Sequence, residues 1–196
     1  MRADLLTSGG VLILAAGSSR RFGADKRFHV MPDGRTLLLA SIDLYAAVFE
    51  HVCVVLRATE ETLAEELGQL PCHPVLCLAA DAHLGMGHSL AAGIRRIAGA
   101  WPWAAVALAD MPFIRPETLM MLGARFEKEN GILQPEYQGQ PGHPVFFPGR
   151  FFPALQALTG DAGARTVLQA HAGDLLRIPV QDSGVITDLD TPPPQH

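Results

Sequence analysis

Val11-Leu12-Ile13-Leu14-Ala15-Ala16-Gly17-Ser18-Ser19-Arg20-Arg21-Phe22-Gly23-Ala24-Asp25-Lys26 is the stretch on which the fold turns. An unbroken apolar run over residues 11–15 predicts a buried strand, and it feeds straight into a glycine turn carrying hydroxyls and cations. Small residues let a backbone approach a phosphate chain closely enough for its amide hydrogens to reach the oxygens. Arg21 and Lys26 supply charge there. The turn is neither GxxxxGK[ST] nor GxGxxG. Lys26 and Lys128 are the two lysines of the chain, and a lysine inside an arginine-rich patch suits a point-charge phosphate contact.

Outward from this turn, short apolar runs alternate with segments of helical period. That alternation predicts an α/β fold with a mainly parallel sheet. Strands are expected over residues 52–56, 75–78, 104–108 and 175–180. Helices are expected over 36–49, over 60–67 capped by Thr59, over 89–98, over 117–128 starting at Pro116, and around 151–158 and 163–171. Residues 131–148, rich in Gly, Pro and Gln, read as an irregular insertion, a flap or small substrate region, that leaves the regular winding.

With 196 residues, one domain over 1–196 is the expectation. The 48% hydrophobic content, 18% charged content and mean hydropathy of +0.19 point to a well-buried core. A formal net charge of −5 argues against wrapping a nucleic-acid backbone. Arg20, Arg21, Lys26 and Arg27 nevertheless fall within eight positions, a local cationic patch suited to a small anionic ligand. Three cysteines without CxxC spacing indicate reduced thiols. No leader or membrane span is expected, and the protein reads as cytoplasmic.

Three further segments carry candidate chemistry. Gly85-Met86-Gly87-His88-Ser89 runs into a helix N-terminus, where backbone donors and the dipole favour anions; Ser89 is a candidate cap. Ala109-Asp110-Met111-Pro112 puts a carboxylate beyond the carboxyl end of a buried strand, where open α/β sheets bind ligands. Such a carboxylate is a hard-oxygen ligand for Mg²⁺, and Asp188-Leu189-Asp190-Thr191-Pro192 offers another. Among eight histidines, His143 stands out because Gly142 and Pro144 hold it on a stiff loop.

In order, LAAGSSRRFGADK (14–26), GMGHSLAAG (85–93), LADMP (108–112), GQPGHPVFF (139–147), GDAGAR (160–165) and DLDTP (188–192) resemble the MobA-like nucleotidyltransferases, and within them the molybdenum cofactor cytidylyltransferases. The resemblance spans nearly the whole chain. It implies a Rossmann-like three-layer sandwich, a nucleoside triphosphate and Mg²⁺. It places Leu14, Ala15, Ala16, Gly17, Lys26, Gly85, Met86, Ser89 and Asp110 on the nucleotide, with Arg21, Lys26 and Asp110 catalytic and the metal on Asp110 and Asp190. His143 and Arg165 fall on the acceptor side. Ala-Ala-Gly at residues 15–17 goes with CTP, whereas Ala-Gly-Gly goes with GTP.

The expected reaction is transfer of CMP from CTP to a molybdopterin-type cofactor, the product passing to a partner such as a molybdenum hydroxylase. The alternatives are GTP or a sugar-phosphate acceptor on the same fold, or a non-catalytic molybdenum cofactor chaperone.

Overall fold

The computed structural model describes residues 5–17 and 25–189. Its framework is an eight-stranded sheet in the order β3-β2-β1-β4-β7-β5-β6, with β8 pairing β5 on a separate branch. β1 (Leu6–Leu14), β2 (Phe49–Arg57), β3 (Val75–Ala79) and β4 (Trp103–Leu108) run parallel. β1 is the hinge of this half. Alternate residues Val11, Ile13 and Ala15 enter one core, while Leu12, Leu14 and Ala16 enter the other, as the two-residue period of a strand requires. An apolar run without alternation is thus the signature of a strand covered on both faces.

α1 (Leu37–Ala46) and α2 (Glu61–Gly68) contribute to the first core, as does α4 (Pro116–Phe126); α3 (Met86–Ile97), α5 (Phe152–Gln156) and α6 (Arg165–Ala170) contribute to the second. The three layers anticipated from the sequence are therefore present. Thr36 caps α1 by accepting from the Leu39 N–H at 3.3 Å. Pro116 opens α4, where its missing N–H costs no helical bond.

Three local expectations are corrected. Residues 131–148 do not leave the winding: they form β5 (Ile132–Tyr137), β6 (Gln140–Pro141) and β7 (Val145–Pro148), and β7 pairs antiparallel with β4. Gly139 sits in the hairpin between β5 and β6 and Gly142 and Pro144 at the approach to β7, while Pro135, Pro141 and Pro148 lie within the strands themselves, so turn-forming residues masked the strands. Thr59 is not the cap of α2; Glu60 occupies that position, and its carboxylate bonds elsewhere. Ser89 lies inside α3, whose capping position is Gly85.

The sheet's second half is closed by a short clip. Asp182 is buried, at 6% exposure, and accepts from the Arg115 N–H at 2.9 Å and the Gly184 N–H at 3.0 Å. It thereby ties the entry to α4 to the turn at Ser183–Ile186, whose Val185 carbonyl accepts from the His143 N–H at 2.8 Å. Burial by itself would raise the Asp182 pKa, but donors from Arg115, Thr118 and Gly184 hold it below the ordinary value.

Because the folded state depresses this pKa, the clip stabilises the fold above the ordinary carboxylate range and loses its effect as pH falls through the folded value. Asp182→Asn is expected to cost about 1–3 kcal/mol at pH 7. The difference from wild type should vanish well below about pH 4. Thermal melts of both proteins across that range check it; a difference that persists in acid would contradict it.

Candidate active site

The parallel strands run β3-β2-β1-β4, so the chain leaves β1 toward β2 and later returns to its other side as β4. Such a reversal of winding opens a crevice at the carboxyl ends of the central strands. A cavity of about 770 Å³ lies there, within the range of small-molecule sites. Its wall includes Leu14, Ala15, Ala16 and Gly17 from the end of β1, Lys26, Leu108 to Asp110 from the end of β4, and Gly85, Met86 and Ser89 from α3. Every nucleotide-side residue singled out in the sequence and described in the structure borders this one space. Arg21 and Asp190 lie outside the described residues.

Lys26 and Asp110 meet across the cavity, with Lys26 Nζ donating to Asp110 Oδ2 at 2.5 Å. Both are about one-fifth exposed, accessible to a ligand yet partly shielded from water. The Asp110 loop is held by two backbone contacts: Ser41 Oγ donates to the Ala109 carbonyl at 2.7 Å, and the Leu189 N–H donates to the Asp110 carbonyl at 3.1 Å. The second contact brings the closing 188–189 segment against Asp110. Among the described residues no group of three His, Cys, Asp or Glu side chains is placed to hold a metal ion.

Arg27 of the cationic patch also borders the cavity, but its guanidinium is committed to protein partners. It is buried at 4% exposure. Its guanidinium donates to Asp25, to Glu60 and to the Ala15 carbonyl. Burial would lower the Arg27 pKa, yet the Asp25 and Glu60 carboxylates raise it. Burial likewise works to raise Asp25 and Glu60, and bonding to Arg27 brings both below their ordinary values. Arg57, at the end of β2, joins this network and also borders the cavity.

The glycines of the second motif serve close approach. A Cβ on Gly87 would stand 2.7 Å from the Thr159 carbonyl oxygen, and the Gly87 N–H donates to the Gly160 carbonyl at 2.7 Å. Gly85, at φ +128°, leaves no room for a Cβ beside Asp161. The start of α3 is therefore docked on the 160–161 turn, which puts Asp161 on the cavity wall.

The two acceptor-side candidates are placed differently. Arg165 begins α6, is exposed and does not border the cavity. His143 is packed beside β4 with Nδ1 buried and without a hydrogen-bond partner. Burial lowers its pKa, against smaller raising effects of the Val106 backbone and the Asp110 charge. Burial thus favours the neutral imidazole. Arg57, Glu60 and Asp161 went unread in the sequence; for Arg57 the available signal was its position at the carboxyl end of a parallel strand.

The MobA-like NTP transferase domain profile matches residues 11–175. The purine catabolism protein PucB of Bacillus subtilis (strain 168) is 31% identical over 192 residues, covering 92% of this chain and 91% of PucB. Among solved structures, the Rv0371c homolog from Mycobacterium sp. strain JC1 is 28% identical with a TM-score of 0.78, over 94% of this chain and 90% of that one. Rv0371c of Mycobacterium tuberculosis H37Rv, crystallised in complex with manganese, is 22% identical with a TM-score of 0.70, over 89% and 87%. At that identity the likeness speaks for the fold. No helix among the described residues is long and apolar enough to cross a membrane.

Proposed function

The chain belongs to the MobA-like NTP transferase family, and on that premise we propose that it transfers CMP from CTP to the terminal phosphate of a molybdopterin-type molybdenum cofactor. The observation that carries this reading is the convergence of Ala15 to Gly17, Lys26, Asp110 and the start of α3 on one cavity at the reversal of strand order. An oxygen of the acceptor phosphate attacks the α-phosphorus of CTP in line. The bond from that phosphorus to the bridging oxygen breaks, and pyrophosphate leaves with the electron pair. Because the nucleophile is already an anion, no general base is required. Catalysis reduces to alignment and to neutralising charge.

Lys26 offsets triphosphate charge from the cavity wall, and Arg21 is assigned the same role from the turn. The Asp110 carboxylate is a hard oxygen donor, and the 188–189 segment abuts it. One or two carboxylates completed by phosphate oxygens and water suit Mg²⁺, which rarely takes an all-protein cage. Asp110 and Asp190 are the residues we assign to hold it. Manganese in the Rv0371c crystal supports a divalent ion on this fold. Once bound, the cation neutralises charge on the triphosphate. Asp110 would hold it, and Lys26 would add its own positive charge to the triphosphate site from the same wall.

CTP is preferred on the Ala15-Ala16-Gly17 sequence, and the cofactor acceptor on the 139–147 and 160–165 motifs, with His143 and Arg165 assigned to its side. The product would pass to a molybdenum hydroxylase. Incubation of the protein with Mg²⁺, molybdopterin and each nucleoside triphosphate in turn, followed by mass analysis of the pterin, tests this. A cytidine adduct with CTP alone is expected. A guanosine adduct, or nucleotide transfer to a sugar phosphate instead, would overturn it.

A further inference from the structure

Three consecutive carbonyls of the nucleotide turn are held by two guanidiniums. Arg27 Nη1 donates to the Ala15 oxygen at 2.7 Å, Arg57 Nε to the Ala16 oxygen at 3.3 Å, and Arg57 Nη2 to the Gly17 oxygen at 2.5 Å. In a trans peptide the carbonyl and the next N–H point in opposite directions. Fixing the oxygens of Ala15 and Ala16 therefore turns the N–H groups of Ala16 and Gly17 away from the guanidiniums.

The guanidiniums are themselves fixed. Asp25 accepts from Arg27 Nε at 2.9 Å and Nη2 at 2.5 Å, and its Oδ2 lies 3.4 Å from Arg57 Nη1. Glu60 accepts from Arg27 Nη1 at 3.0 Å, from Arg27 Nη2 and from the Arg57 backbone N–H at 2.8 Å. These contacts engage all five N–H donors of Arg27, so none is left to take a phosphate oxygen. The network also spans the turn: it grips residues 15–17 on one side and 25–27 on the other, and anchors both to the end of β2.

We infer that Arg27 and Arg57 are positioning residues, which aim the nucleotide turn by its carbonyls while Asp25 and Glu60 hold them in place. The role in nucleotide binding rests on the function proposed above; the grip on the turn does not. A cation beside a triphosphate is ordinarily read as a ligand for it. The two readings predict opposite signs for one substitution. If Arg27 or Arg57 bound phosphate directly, Glu60→Gln would release a cation and remove a competing anion, and CTP would bind more tightly. If they aim the turn, Glu60→Gln loosens it and CTP binds more weakly.

The experiment is titration calorimetry of Mg-CTP on wild type, Glu60→Gln and Arg57→Lys, with amide hydrogen exchange of residues 15–17 on the same samples. Both variants are expected to weaken CTP about tenfold and to speed exchange in the turn. Lysine keeps the charge but lacks the fork that spans two carbonyls. Tighter binding by Glu60→Gln, or wild-type binding by Arg57→Lys, would overturn the inference, as would unchanged exchange. If wild type binds no CTP while exchange still accelerates in the variants, the functional reading fails and the grip on the turn stands. Should Glu60→Gln not fold, Asp25→Asn and Arg57→Lys provide the same comparison.

Discussion

Asp110→Asn is expected to lower the rate of pyrophosphate release about a thousandfold while leaving a folded protein. Asparagine keeps the shape of the side chain and removes its charge. Asp110 sits on a loop fixed through backbone contacts from Ser41 and Leu189, and neither depends on the carboxylate. The fold should therefore survive, with a small change in melting temperature, since a partly exposed pair adds little stability. On the proposed function the missing charge removes the assigned metal ligand, and it removes the carboxylate partner of Lys26 as well. Circular dichroism and a coupled pyrophosphate assay on the same preparation check this. Near-wild-type turnover by folded protein would remove Asp110 from the mechanism.

Lys26→Gln should lower kcat about a hundredfold or more, with a smaller rise in KM for CTP. In the proposed reaction the ammonium acts on charge that redistributes toward the leaving pyrophosphate, so its loss would weigh more on the transition state than on the bound nucleotide. The 2.5 Å pair with Asp110 adds a second, opposite effect. Lys26 competes electrostatically with a metal ion for that carboxylate, so Mn²⁺ titrated without nucleotide should bind Lys26→Gln more tightly than wild type. Equal Mn²⁺ affinity together with unimpaired turnover would contradict the roles of both residues.

Where the sequence is periodic, the fold was legible in it. The run through Leu12 and Ile13 marked a buried strand, which the structure places centrally and covers on both faces, and Asp110 was recognisable as the residue beyond the end of another. The β5 to β7 region was hidden because Pro135, Gly139, Pro141, Gly142 and Pro144 imitate a loop. Pairing with β4, a contact far away in sequence, is what makes Val145 to Pro148 a strand.

The site divided in the same way. Residues next to glycine turns or strand ends could be found by local rules, so Lys26, Asp110 and Gly85 were within reach. The carbonyl grip was not, since Arg27, Arg57 and Glu60 acquire their roles from partners separated by up to 41 positions. Composition placed Arg27 among the ligand cations, whereas burial and five occupied donors remove it from them. Asp161 lay within a recognised motif, but only the docking of Gly87 on Gly160 brings it to the cavity.

Cytidylyl transfer is the reaction proposed at the Lys26 and Asp110 edge of the sheet. Pyrophosphate release from CTP and Mg²⁺, measured with and without molybdopterin, is the decisive measurement. Release that requires molybdopterin and is much slower with GTP is the predicted result. No release from any nucleotide with folded protein and molybdopterin present, or release that favours GTP, would contradict it.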